Sequence, residues 1–222
     1  MAAASNLTGV LDEMAFNFTK ETGARVIISY GSTAQLAQQI ENAAPFDVFL
    51  AADLEHVDAL VQKQYVLPET RASYARGVLA LWIPKGDTLG IAGLPDLAKQ
   101  SVRFISVANP ATAPYGKAAV EALRNANVWA KVESKVVYTT NISMAKQYAG
   151  SGNVDAALTA YSLVLHEAGK VLPVDPSLYA PIDQALGVVA ASKNAATAKR
   201  FAAYVLDTAG QAVLKKHGYA CP

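Results

Sequence analysis

Cysteine is almost missing from this chain. The single one is Cys221, one residue from the end, so an internal disulfide and a cysteine metal cluster are both excluded. The three histidines, His56, His166 and His217, are scattered without ligand spacing, and no zinc site is expected. No apolar run approaches the ~18 residues of a membrane span. An excess of one charge is lacking too. The formal net charge is +1, with acids and bases interspersed, which gives no electrostatic reason to expect a nucleic acid or a membrane surface as partner. Met1 is followed by alanines, with no basic stretch and no long apolar stretch behind it. The chain therefore reads as cytosolic, or as the mature form of an exported protein. There is no Ser–His or Cys–His constellation, no fixed-period repeat and no phosphate-cradling loop pattern; "SGN" at 151–153 reads as an ordinary loop.

What is present is a core and an alternation. The chain has 222 residues, of which 52% are hydrophobic, enough for one large domain or two modest lobes. Helical spacing over about Asn6 to Lys20 is followed by a β-branched strand, Arg25 to Tyr30. "STAQLAQQIENAAP" reads as helix, "FDVFLAAD" as strand and "LEHVDALVQKQYV" as helix. The same alternation continues through "GVLALWIPKG", "VRFISVANP", "YGKAAVEALRNANVW", "SKVVYTT" and "ISMAKQYAGSG". "DQALGVVAAS" is a late strand, and one or two helices close the chain. Strand–helix alternation with apolar strands implies an α/β protein whose sheets are mostly parallel and covered on both faces.

Chemistry concentrates where strands hand over to helices. Four junctions look alike: "AAASN", "SYGSTAQ", "NPATAPYG" and "YTTNIS". Ser32 with Gln35 has capping-box spacing, Pro114 suits a first helical position, and Thr139, Thr140 and Asn141 are cap candidates. None of the four carries an acid. A helix N-terminus offers unpaired N–H groups and about half a positive charge, so several together form an anion site. In open parallel sheets such ligands bind beyond the carboxyl ends of the strands. Each junction taken singly is also explained as an ordinary cap, so the residues alone lead to an α/β protein with the means to bind an anion.

In collinear order, "AAASNLT", "YGSTAQLAQQIENAAPFDVFLAAD", "VANPATAPYGKAAVEAL" and the terminal "VLKKHGYACP" resemble the periplasmic molybdate-binding proteins, the solute receptors of molybdate ABC importers. The resemblance spans the chain and implies the type II periplasmic-binding fold. That means two α/β lobes joined by two crossover strands, with an oxyanion held in the cleft by neutral donors. It implies one lobe of residues 1–78 plus 187–222 and another of 79–186. It also implies a periplasmic location, a membrane permease as partner, a monomer, no cofactor and no catalysis. Molybdate is the implied ligand, with tungstate bound comparably. Residue by residue, Ser5 matches the first-loop hydroxyl, with Asn6 as an added donor. Thr33 falls on the second-loop ligand position with Ser32 beside it, and Ala52 on a nearby backbone position. Tyr115 and Ile142 match backbone donors, and Tyr161 matches a tyrosine whose hydroxyl reaches the anion. Two departures stand out: only Met1 precedes "AAAS" where the family's first strand is longer, and Thr33 replaces the usual serine. The rival readings are a receptor for sulfate or phosphate, and an enzyme or sensory domain on the same fold.

Asp47 and Asp53 flank an apolar strand. They are read as a structural partner within the lobe and a helix cap, because a carboxylate facing an oxyanion repels it. Lys117 is read as a solvated helix residue, and Trp82 and Trp129 as core or near-core.

Overall fold

The computed structural model describes residues 1–86 and 88–220; Cys221 lies outside the described residues. In chain order the elements are β1 (Ala2–Ala4), a 3-10 turn (Ser5–Leu7), α1 (Val10–Thr22), β2 (Ser29–Gly31), α2 (Thr33–Glu41), β3 (Val48–Leu50), α3 (Glu55–Gln62) and β4 (Ala72–Gly77). Next come β5 (Leu79–Pro84), β6 (Ile105–Ala108), α4 (Pro114–Asn125), α5 (Trp129–Val132), β7 (Val136–Thr139), α6 (Ile142–Gly150), β8 (Ala156–Ala160), α7 (Tyr161–Val164) and β9 (Gly169–Pro173). The chain closes with β10 (Ile182–Val188), α8 (Ala195–Leu206) and α9 (Thr208–Lys216).

Two compact units result: Met1–Gly77 with Asp183–Pro222, and Val78–Ile182. Sequence reading put the second crossing after residue 186. The structure puts it earlier because β10 is already bound into the first sheet there: Ala51 N–H donates to Ala185 O at 2.8 Å.

The first unit holds a five-stranded sheet in the order β2-β1-β3-β10-β4. β1 pairs parallel with both β2 and β3, while β10 runs antiparallel to β3. The sheet is mixed, and its faces follow the period-2 rule. Ala3, Val48, Leu50, Leu186 and Val188 pack on one face with α1, α8 and α9. Ala2, Phe49, Ala51 and Ala185 pack on the other with α2 and α3. Phe18, Phe201 and Tyr204 close the first cluster, with Phe18 and Phe201 edge-to-face at 5.1 Å. Small alanines in β1 let helices approach both faces of the sheet.

The second unit repeats the plan, in the order β7-β6-β8-β5-β9. β6 is parallel to β7 and β8, and β5 is antiparallel to β8 and β9. Gly116 has a steric duty: a Cβ there would lie 2.1 Å from Ala108 O, so only glycine lets α4 start this close to β6. Trp82 is core, and its Nε1–H donates to Ala168 O at 3.2 Å; Trp129 is half-buried, with the Arg124 guanidinium 5.4 Å from its ring centre. The "SGN" stretch is a loop.

Three local readings are corrected. The expected helix from Asn6 is interrupted, because Gly9 takes a positive φ of 83° and α1 starts only at Val10. Its first turn is tied by Gly9 N–H to Asp12 Oδ2 at 3.1 Å. The N-cap position of α1 therefore belongs to Gly9 and not to Ser5. The strand expected over Arg25–Tyr30 is paired only over Ser29–Gly31, since β1, its partner, contributes three residues to the ladder. The capping box read at Ser32 and Gln35 does not form: Ser32 is the N-cap residue, in extended conformation, yet its side chain makes no capping bond.

Candidate functional site

Three parallel strands in each unit end at helical starts, so their junctions lie along one sheet edge. In the first unit β1 leads to Ser5 and Asn6, β2 to Ser32 and Thr33, and β3 to Ala51 and Ala52. In the second unit β6 leads to the Pro114 start, with Tyr115 next; β7 leads to Ile142 and β8 to Tyr161. The junctions after β3 and β8 were not among the four picked from composition; only the resemblance pointed to Ala52 and Tyr161. No acid occupies the first turn of α2, α4 or α6, so nothing there offsets the positive helix ends. Pro114 does sit at the start of α4, and Asn141 does cap α6, its Oδ1 accepting from Met144 N–H at 3.0 Å.

The hydroxyls differ in how they are used. Ser32 is 3% exposed, and its Oγ has no hydrogen-bond partner among the described residues. Buried hydroxyls are normally paired, and an unmade bond costs about 1–3 kcal/mol. Thr33 is spent in part: its Oγ1 accepts from Ala52 N–H at 3.0 Å, while its own proton remains to be donated. Thr33 thus ties the second junction to the third. The Tyr161 backbone N–H donates to Val78 O at 2.9 Å. Its side chain is half-buried, and the hydroxyl meets no acceptor among the described residues. Ile142 is buried, and its carbonyl accepts from Thr159 Oγ1 at 3.3 Å. Tyr115 is buried to 1% exposure, a core side chain behind the α4 start.

Asn6 is fully buried, and its side-chain amide is committed inward. Nδ2 donates to Gln184 Oε1 at 3.0 Å and to Tyr219 Oη at 2.9 Å. An amide nitrogen has two protons, so both are used. Any donor that Asn6 offers a ligand is its main-chain N–H. Sequence reasoning missed Gln184, Tyr74 and Tyr219 altogether. A glutamine in the apolar stretch "DQALGVV" was the available signal.

Both acids that flank β3 have partners of their own. Asp47 Oδ1 accepts from Ser192 Oγ at 2.6 Å and Asn194 Nδ2 at 3.2 Å. Asp53 stands at the third junction, where its Oδ1 accepts from His56 N–H at 3.0 Å and its Oδ2 lies 2.8 Å from His56 Nδ1. That hydrogen bond holds the His56 pKa above its ordinary value, against a smaller lowering by burial. Lys117 is exposed on α4. Among the described residues no group of three His, Cys, Asp or Glu side chains could hold a metal ion, and no helix is long and apolar enough to cross a membrane. A cavity of about 570 Å³ in the first unit involves Met1, Val26 and Val48, at the amino ends of the strands, and includes none of the candidate residues.

Two α/β units whose strands hand over to helices at hydroxyl- and N–H-lined junctions, with no acid in the first turn of α2, α4 or α6, describe a solute receptor. The family model for bacterial extracellular solute-binding proteins matches residues 1–220, and the chain belongs to that family. Among its relatives, the molybdate-binding protein ModA of Azotobacter vinelandii is 34% identical over 99% of this chain and 88% of its own length. ModA of Rhodobacter capsulatus is 32% identical over 98% and 86%. The solved Azotobacter vinelandii periplasmic molybdate-binding protein superposes with a TM-score of 0.95 at 29% identity, covering 100% of this chain and 98% of that one.

Proposed function

We propose that this chain binds molybdate, and tungstate comparably, as the periplasmic solute receptor that hands the oxyanion to the membrane permease of an ABC importer. It acts as a monomer, without cofactor and without catalysis. The ligand set is the Ser5, Ser32 and Thr33 hydroxyls, the main-chain N–H groups around Asn6, Ala52, Tyr115 and Ile142, and the Tyr161 hydroxyl. The observation that carries this reading is the Ser32 hydroxyl, buried at the start of α2 with no partner among the described residues. A bound oxyanion would supply the missing acceptor.

The relatives named for molybdate support the choice of anion. The chemistry of the donor set narrows the choice to unprotonated dianions. Unprotonated molybdate, tungstate and sulfate accept at every oxygen, whereas hydrogen phosphate would leave one O–H facing a donor, at a cost. Titration calorimetry with molybdate, tungstate, sulfate and phosphate tests the reading. Tight binding of the first two and weak binding of the last two is expected; equal binding of sulfate and molybdate would defeat the assignment. Incubation with phosphate and carboxylate esters should show no turnover, and turnover would favour an enzyme on this fold.

A further inference from the structure

We infer that Gln184, with Tyr74 and Tyr219, is a positioning centre that holds the junctions of the first unit in their binding geometry. The inference rests on the oxyanion reading given above. Gln184 is fully buried on β10, amid apolar neighbours. Its Oε1 accepts from Asn6 Nδ2 at 3.0 Å and lies 2.7 Å from the Tyr74 hydroxyl. The same Tyr74 hydroxyl lies 2.9 Å from Ala51 O, so its one proton sits between the two acceptors. Tyr219 clamps Asn6 twice: its oxygen accepts from Asn6 Nδ2 at 2.9 Å, and its O–H donates to Asn6 O at 2.8 Å. Ala51 adjoins Ala52, whose N–H is held by Thr33.

The contacts therefore run without a break from the first junction, through Gln184 and Tyr74, to the third junction and on to the second. Leucine would fill the Gln184 position without any polar group to satisfy. A buried network of this kind is high-stakes, because every lost partner leaves a desolvated polar atom. What it provides is fixed geometry. Three loops separated in sequence are tied together, with Thr33 the one side chain in the series that the oxyanion reading also gives to the ligand, the arrangement that a preorganised donor set requires. Tyr74 and Gln184 lie on β4 and β10, the strands at which the chain passes between the units.

The test uses the whole chain and three variants. Gln184→Leu removes the hub, and Tyr219→Phe removes the double clamp. Val213→Ala, in the same apolar cluster but outside these contacts, controls for destabilisation alone. Molybdate affinity is measured by calorimetry, and amide exchange of the ligand-free proteins by mass spectrometry. Gln184→Leu should weaken molybdate binding about tenfold or more and speed exchange at both 4–8 and 50–53. Tyr219→Phe should weaken binding comparably and speed exchange at 4–8 alone. Val213→Ala should stay within about twofold in affinity at a similar loss of melting temperature. The inference is overturned if affinity simply follows melting temperature across the three variants, or if exchange at 50–53 ignores Gln184. If Gln184→Leu does not fold, Tyr219→Phe against Val213→Ala decides the matter. Wild-type protein that binds none of the oxyanions overturns the oxyanion reading itself, before any variant is made.

Discussion

Replacing Ser32 with alanine should move affinity and stability in opposite directions. The Ser32 hydroxyl is buried and meets no partner among the described residues; a buried hydroxyl left unmatched costs about 1–3 kcal/mol. Its removal leaves a methyl in an otherwise unchanged site, so the ligand-free variant should melt above the wild-type temperature. The bound state loses a hydrogen bond to a charged acceptor, about 1.5–3 kcal/mol, or roughly tenfold to 100-fold in dissociation constant. Calorimetry with molybdate, and melting curves with and without it, separate the two effects. At ligand near 100 times the wild-type dissociation constant, binding adds about 2.7 kcal/mol to wild-type stability. Ser32→Ala should keep only a fraction of that increment. Unchanged affinity would refute the assignment of Ser32 to the anion. A ligand-free loss near 1 kcal/mol, the usual cost of deleting an N-cap, would show that the hydroxyl serves α2 instead.

Other substitutions sort the remaining junction residues. Thr33→Ala should lower affinity and also ligand-free stability, by about 1–3 kcal/mol, because it orphans the Ala52 N–H; this contrast with Ser32→Ala is checked by the same two assays. Asn141→Ala should cost about 1 kcal/mol of stability in denaturant unfolding, as expected for a cap that holds Met144 N–H. His56 is held above its ordinary pKa by Asp53, so the protonated pair stabilises the fold below the unfolded-state pKa near ~6.5. That contribution fades as pH rises through the folded value; the melting-temperature gap between wild type and His56→Asn should accordingly narrow from pH 6 to pH 9. Affinity for molybdate should survive exhaustive chelation, since a neutral donor set needs no bridging cation.

Much of this was legible in the sequence where the deciding interactions are local. The alternation of apolar strands and amphipathic helices gave the α/β class, and Pro114 and Asn141 announced their helix starts within three or four residues. Local signals also misled. Ser32 with Gln35 has the spacing of a capping box, but spacing cannot show whether a hydroxyl turns toward its own helix. Gly9 ends the short turn after β1 because it alone there takes a positive φ without strain, yet the apolar period from Leu7 to Phe18 runs straight through it. The commitment of the Asn6 amide was beyond local reading, since its partners lie 178 and 213 residues away. The same separation hid Gln184 as a hub. Ala52 and Tyr161 carry no distinctive side-chain signal at their junctions and were reached through family resemblance alone.

On the proposed reading, a site of neutral donors in this chain takes an unprotonated tetrahedral dianion and prefers molybdate. Competitive titration calorimetry of the chelated protein, molybdate against sulfate, tests it most directly. Undiminished molybdate binding after chelation and a dissociation constant for sulfate at least tenfold weaker are expected. Loss of molybdate binding on chelation, or sulfate binding as tight as molybdate, would contradict the reading.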